Sequence, residues 1–190
     1  MRIALDLEGP CSNVHEPARE RSDILEPHHF DEWKAMDDNV YKEYMHVSSN
    51  LWHNHWEQIP LSTESVPENV DRLRESNEVK ILTARTGVDD QIQQWLDSHG
   101  VTVDGFWSTR QPKEQFERGP EAHVNEELQF DIFIDDNPRM VGEVDHLFLY
   151  DRPWNQSVTA DGVNTIRVED LGEVADMVED GILVRQSANA

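Results

Sequence analysis

The stretch Arg2-Ile3-Ala4-Leu5-Asp6-Leu7-Glu8-Gly9-Pro10 decides how the rest of the chain is read. Ile3, Ala4 and Leu5 form a continuous apolar run, as in a short strand buried on both faces, and Gly9-Pro10 breaks it. The run therefore delivers two carboxylates, Asp6 and Glu8, to a strand end.

Working outward, the character changes from Ser12 to about Pro60. This stretch is rich in His, Trp, Met, Glu and Asp, and Trp33, Met36, Val40 and Tyr44 recur at helical spacing. No strong strand signal occurs in it, so residues 12–60 are expected to form a helical insertion. Ser62 to Ser65 offer N-caps before Pro67, with Val66, Val70 and Leu73 on one helix face. The pattern then alternates. Strands are expected at Val79 to Thr83, Val101 to Trp107, Phe130 to Ile134, His146 to Tyr150 and Thr165 to Val168. Helices are expected at Asp89 to His99, closed by Gly100, around Glu114 to Glu127, and at Asp170 to Val178; Pro138 opens a further short one. Strands separated by helices imply an α/β fold, a parallel sheet with helices on both faces. The core is then residues 1–11 and 61–185, with 186–190 a frayed tail.

Composition narrows the function. The 190 residues carry 39 acidic against 16 basic side chains, a formal net charge of −23. Such a surface repels phosphate backbones and anionic lipid, which argues against duplex nucleic acid and membrane as partners. Abundant Asp and Glu with only four lysines (Lys34, Lys42, Lys80 and Lys113) resembles proteins of salt-accumulating organisms, where ionic strength screens self-repulsion. A single cysteine, Cys11, fits a reducing compartment, and no leader or membrane run is evident, so a cytoplasmic, soluble protein is expected. Oligomeric state is not legible.

In an open parallel sheet the ligand site lies beyond the carboxyl ends of the strands. Three ends carry chemistry: Asp6-Leu7-Glu8-Gly9, Thr83-Ala84-Arg85 and Asp135-Asp136-Asn137. One acid at a strand end reads as a cap for the next helix. Two clusters plus a hydroxyl read as a site. Up to four carboxylates at one sheet edge repel unless a hard divalent cation relieves them, and oxygen ligands with room for water favour Mg2+.

These residues resemble the haloacid dehalogenase (HAD) superfamily. Asp6-x-Glu8-Gly9 is similar to its first motif, Thr83 after Lys80-Ile81-Leu82 to its second, and Asp135-Asp136 to its fourth, in order over roughly residues 1–150. Leu82-Thr83-Ala84-Arg85, Ile134-Asp135-Asp136 and Tyr150-Asp151-Arg152-Pro153-Trp154-Asn155 look similar to the 5′(3′)-deoxyribonucleotidase-like branch. The resemblance implies a HAD-like, Rossmann-type sheet with a small helical cap after the first strand. It also implies a phosphomonoesterase acting on a small phosphorylated metabolite, in that branch a nucleoside monophosphate. Asp6 would attack phosphorus and form an aspartyl-phosphate. Mg2+ would be held by Asp6, Asp135 and the backbone carbonyl of Glu8, with Asp136 on metal-bound water or a neighbouring amide. Thr83 and nearby amides, Ala84 among them, would bind the phosphoryl group. A lysine is expected beside it, and Lys113 is the only one between the second and fourth motifs; an exposed loop position for it, with Arg110 or Arg118 in its place, is the alternative.

Glu8 departs from the pattern. The superfamily's phosphatases usually have aspartate there, as acid on the leaving oxygen and then base on water, and proton transfer demands hydrogen-bond reach. Pro10 also replaces a small hydroxyl residue. Two other readings stay open: a catalytically weak protein that binds Mg2+ and phosphate, and a phosphotransferase. Trp52-His53-Asn54-His55-Trp56 reads as cap packing rather than zinc, because a His-x-His pair diverges on a helix. Cys11 reads as a packed residue, and Arg85, Arg139 and Arg152 as surface ion-pair partners or readers of substrate anions.

Overall fold

The computed structural model describes residues 1–31, 37–108, 129–158 and 164–181. Among them six strands form one sheet: β1 (Arg2–Asp6), β2 (Glu78–Thr83), β3 (Gly105–Ser108), β4 (Ile132–Asp135), β5 (Leu147–Tyr150) and β6 (Thr165–Val168). Every pair is parallel, in the order β3-β2-β1-β4-β5-β6. Five α-helices accompany them: α1 (His15–Glu20), α2 (Asp38–Asn54), α3 (Val66–Arg74), α4 (Asp89–His99) and α5 (Leu171–Glu179). This is the α/β parallel architecture that the alternating pattern implies.

Side-chain alternation along the strands separates two apolar clusters. Ile3, Leu5, Val79, Ile81, Ile132, Ile134, Phe148 and Tyr150 point to one, where they meet Val70 and Leu73 of α3, Ile92, Trp95 and Leu96 of α4, and Val174 and Ala175 of α5. Ala4, Leu82, Phe133, Leu147 and Leu149 point to the other, with Phe130 and Met140. Period-two alternation with both faces apolar is what a sheet covered on both sides requires. The expected helix at 114–127 lies outside the described residues, as do Lys113, Arg110, Arg118, Trp33, Met36 and the tail 186–190.

Two strands, β3 and β4, start later than the apolar runs suggest, and before β3 the preceding residues are still closing α4. Gly100, at φ 68°, closes α4 in the left-handed conformation and Val101 N–H returns to Leu96 O, 2.9 Å. The Asp104 carboxylate then accepts from Val79 N–H, 2.9 Å, and from Arg74, 2.7 Å. Only from Gly105 does the chain join the ladder. Before β4, Gln129 takes a positive φ of 53° and Phe130 packs edge-on against Phe133.

Between β1 and α3 the chain forms α1, a 3-10 turn at Pro27–Phe30, α2, and a second 3-10 turn at Trp56–Gln58, with no strand among the described residues. The two ends of this excursion are stitched together by Asn13 N–H to Pro60 O, 3.0 Å, and Ser62 N–H to Cys11 O, 2.8 Å. Its apolar residues Val40, Tyr44, Val47, Leu51, Trp52 and Ile59 join the same cluster as the sheet. Trp52 meets Trp95 of α4 at 6.0 Å between ring centroids, and Trp95 Nε1 donates to Ile59 O, 2.7 Å. The inserted helices and the sheet therefore share one core.

Candidate active site

The strand order reverses at β1: the chain builds β2 and β3 on one side, then returns to lay β4, β5 and β6 on the other. Strand ends flanking such a switch point diverge into loops above a crevice. Asp6 closes β1 and Asp135 closes β4, so both border it. Asp6, Asp135 and Asp136 each present an oxygen such that all three lie within 4.8 Å of one another. Among the described residues this is the group of three or more metal-ligating side chains that converges. His53 is bound instead to Ser49 O, 2.8 Å, and His55 terminates α2.

Burial sets the electrostatics. Asp135 is 2% exposed, and desolvation raises its carboxyl to about 7 although the amides of Asn137 and Asp136 pull the other way. Burial, reinforced by the like charge of Asp135, pushes Asp136 well above the usual carboxylate range; Arg152 opposes this. Each raised value reports that the ionised form lacks compensating positive charge. A hard divalent cation is the partner this all-carboxylate oxygen set fits.

The loop after β1 is tightly closed around these acids. Ser12 N–H and Oγ both donate to Leu7 O, each 2.8 Å, and Gly9 N–H donates to Ser12 O, 2.9 Å. Gly9 has φ 101°, and a Cβ there would sit within 2.6 Å of Asp136 Cγ and closer still to Oδ2. No other residue fits. Arg152 donates to Gly9 O and lies over the Tyr150 ring, 4.4 Å to its centroid. Asn155 donates to Asp136 O, 3.0 Å, and Tyr150 O, 2.8 Å, and is held by Arg167, 2.7 Å. The Tyr150–Asn155 segment thus braces the acidic cluster from behind, and the surface ion-pair reading of Arg152 is corrected.

Thr83 is 2% exposed at the end of β2, beside β1, and its Oγ1 accepts from Arg85 N–H, 3.2 Å. Its hydroxyl hydrogen remains available to a ligand. Ala84 follows it on the same loop.

Glu8 is where the arrangement departs most from the sequence reading. Its Oε1 accepts from Trp52 Nε1, 2.6 Å, and Arg85 Nε, 2.9 Å, and its Oε2 accepts from Arg85 Nη2, 2.9 Å. Burial alone would push the Glu8 carboxyl up, but the charge and hydrogen bonds of Arg85, with the Trp52 indole, hold it below the usual glutamate range. The Glu8 side chain is not among the converging ligands. Arg85, side chain 12% exposed, is a buried partner and not a surface one. The signal was in the register. Asp6 pairs with Leu82, so residues just past the two strand ends, Glu8 and Arg85, emerge side by side.

Around this ion pair sits an aromatic group that the sequence reading missed. His15 stacks on Tyr44, 5.4 Å, and meets Trp154 edge-on, 4.6 Å. Burial lowers the His15 imidazole to about 4, against the pull of Glu8. Cys11 is fully buried, and desolvation together with Asp6 keeps its thiol protonated, as for a packed residue.

Solved structures share this architecture. A HAD-superfamily hydrolase of subfamily IA from Geobacter sulfurreducens superposes with a TM-score of 0.55 at 13% identity, covering 93% of this chain and 95% of that one. A candidate β-phosphoglucomutase from Thermotoga maritima gives 0.52 at 11% identity, covering 94% and 98%. The fold is HAD-type. A dehalogenase structure agrees, with a TM-score of 0.55 at 12% identity over 93% of this chain and 96% of its own. No family model and no curated protein matches the sequence. In this HAD-type sheet Asp6, Thr83 and Asp135-Asp136 occupy successive strand ends around the switch point.

Proposed function

We propose that the chain is a magnesium-dependent phosphoryl-transfer hydrolase, a phosphomonoesterase that uses Asp6 as nucleophile on a small phosphorylated metabolite. The observation that carries this is the convergence of Asp6, Asp135 and Asp136 within 4.8 Å at the switch point. Their oxygens would hold the ion, and bound magnesium supplies the positive charge that offsets both the carboxylates and an incoming phosphate. Asp6 forms the new bond to phosphorus as the bond to the leaving oxygen breaks, and that oxygen departs with the electron pair and is protonated. Water then cleaves the aspartyl-phosphate and returns Asp6 as a carboxylate. The Thr83 hydroxyl donates to a phosphoryl oxygen alongside the Ala84 amide, and Lys113 is the expected cationic partner.

Nucleoside monophosphates are the favoured substrates on the branch resemblance, and the acidity of the chain speaks against duplex nucleic acid. No described helix is long and apolar enough to cross a membrane; the single cysteine, Cys11, is what favours a reducing, cytoplasmic compartment.

Turnover of p-nitrophenyl phosphate in concentrated KCl tests this reading. It should require magnesium and vanish in Asp6→Asn; activity retained by that variant removes Asp6 as nucleophile. A panel of nucleoside and sugar monophosphates then sorts the substrate. The engagement of Glu8 by Arg85 and Trp52 favours a second reading, in which the protein binds magnesium and phosphate and turns over slowly. Glu8→Asp separates the two: a large rate increase supports the slow form.

A further inference from the structure

Arg85 occupies a junction of four elements: the loop after β1, the end of β2, the end of β3 and helix α2. Its backbone N–H is held by Thr83 Oγ1, 3.2 Å, and its carbonyl accepts from Ser108 Oγ at the end of β3. Its guanidinium forms a two-pronged pair with Glu8, both distances 2.9 Å, and the same Nη2 reaches Ser48 Oγ of α2, 3.1 Å. From the same helix, Trp52 supplies the third donor to Glu8, 2.6 Å. Trp52 is itself fully buried.

The covalent connection makes this junction consequential. Glu8 lies two residues after Asp6 and directly before Gly9, whose backbone packs against Asp136 with no room for a Cβ. Clamping the Glu8 side chain from two donor groups fixes the backbone between the proposed nucleophile and that contact. A long carboxylate side chain left to itself would sample several rotamers. A planar guanidinium with both prongs engaged permits one.

We propose that Arg85 is a positioning residue that acts through Glu8, with Trp52 and Ser48 carrying the contribution of the inserted helix α2, so that the seating of α2 sets the alignment of Asp6. This rests on the phosphoryl-transfer reading. It assigns Arg85 no contact with substrate, and it makes the insertion part of the catalytic alignment.

The test is a double-mutant cycle on kcat and KM with p-nitrophenyl phosphate and magnesium, using Arg85→Met and Glu8→Met, the second of which removes both acceptor oxygens. Each single change should lower kcat by roughly 10-fold or more, with KM little altered, because the lost interaction orients the nucleophile. The double variant should fall within about 3-fold of the weaker single, since residues acting as one unit are not additive. Trp52→Phe removes one donor while keeping an aromatic core residue. It should lower kcat in the parent and change nothing in the Glu8→Met background, which has no acceptor for it, and this keeps the cycle informative if Arg85→Met folds poorly. Multiplicative losses, a KM effect alone, or a lowered melting temperature with unchanged kcat each overturn the assignment. An inactive parent, or a parent whose turnover survives Asp6→Asn, fails the functional reading first and takes this one with it. Additive losses in an active, Asp6-dependent parent sink only the role of Arg85.

Discussion

Gly9→Ala is the perturbation whose consequence can be worked furthest from geometry. The residue holds φ 101°, outside the region L-residues favour, and a side chain forced there costs about 1–3 kcal/mol. The added methyl would also stand within 2.6 Å of Asp136 Cγ. Normal van der Waals separation is restored only if Asp136 or the loop shifts by about an ångström, and an off-rotamer side chain adds roughly 0.5–1.5 kcal/mol. The total is about 2–4 kcal/mol. For a chain of this size that corresponds to a fall in melting temperature of roughly 5–12 °C. Because Asp136 is one of the three converging acids, the same shift should weaken magnesium binding, read by isothermal titration. Thermal melts in molar KCl, with and without magnesium, check both effects. A variant that melts within about 2 °C of the parent and binds magnesium equally well would refute the close approach of Gly9 to Asp136.

Two further outcomes follow from the electrostatics and the caps. Asp135 is raised to about 7 and Asp136 is raised as well, so between about pH 6.5 and pH 8 the metal-free folded chain binds more protons than the unfolded one and loses stability as pH rises. His15, lowered from 6.5 to about 4, opposes this trend only below pH 6.5, where the unfolded imidazole gains a proton. Magnesium competes with those protons, so its stabilisation should grow across the same window. Chelator-treated protein more stable at pH 8 than at pH 6.5 contradicts the cluster's burial. Asp170→Ala removes the N-cap of α5, which accepts from Gly172 N–H, 2.7 Å, and Glu173 N–H, 3.0 Å. It should cost about 1 kcal/mol in a denaturant melt. A loss near zero would mean that solvent caps the helix equally well.

The elements legible in the sequence were those with an unambiguous local signature. Asp89–His99 ends where Gly100 takes a left-handed conformation, and Thr165–Val168 is bounded as its β-branched run suggests. The start of β3 was not legible, because Asp104 spends its carboxylate on Val79 and Arg74, partners that are distant in the chain. Within the site, Asp6, Thr83 and Asp135-Asp136 could be placed because a strand end fixes where a side chain emerges. The orientation of Glu8 could not, since it depends on Trp52, 44 residues away on a helix whose seating no local pattern specifies. The place of Arg85 is hidden from local pattern for a related reason. Solvent exposure was its default, and only the pairing register of β1 with β2 places it beside a buried carboxylate.

The position of β1 at the middle of the sheet has a further consequence for how the protein reaches its native state. Arg2 in β1 finds Glu78 on one flank, 76 residues away, and Asp131 on the other, 129 residues away. During synthesis the first strand stays unpaired until β2, ending at Thr83, has left the ribosome, and its second flank stays open until β4, ending at Asp135, follows. Closing such long loops is slow, and the exposed Ile3-Ala4-Leu5 edge invites association with other chains meanwhile. The carboxylate trio, which draws on both ends of that span, can assemble only once β4 has paired with β1.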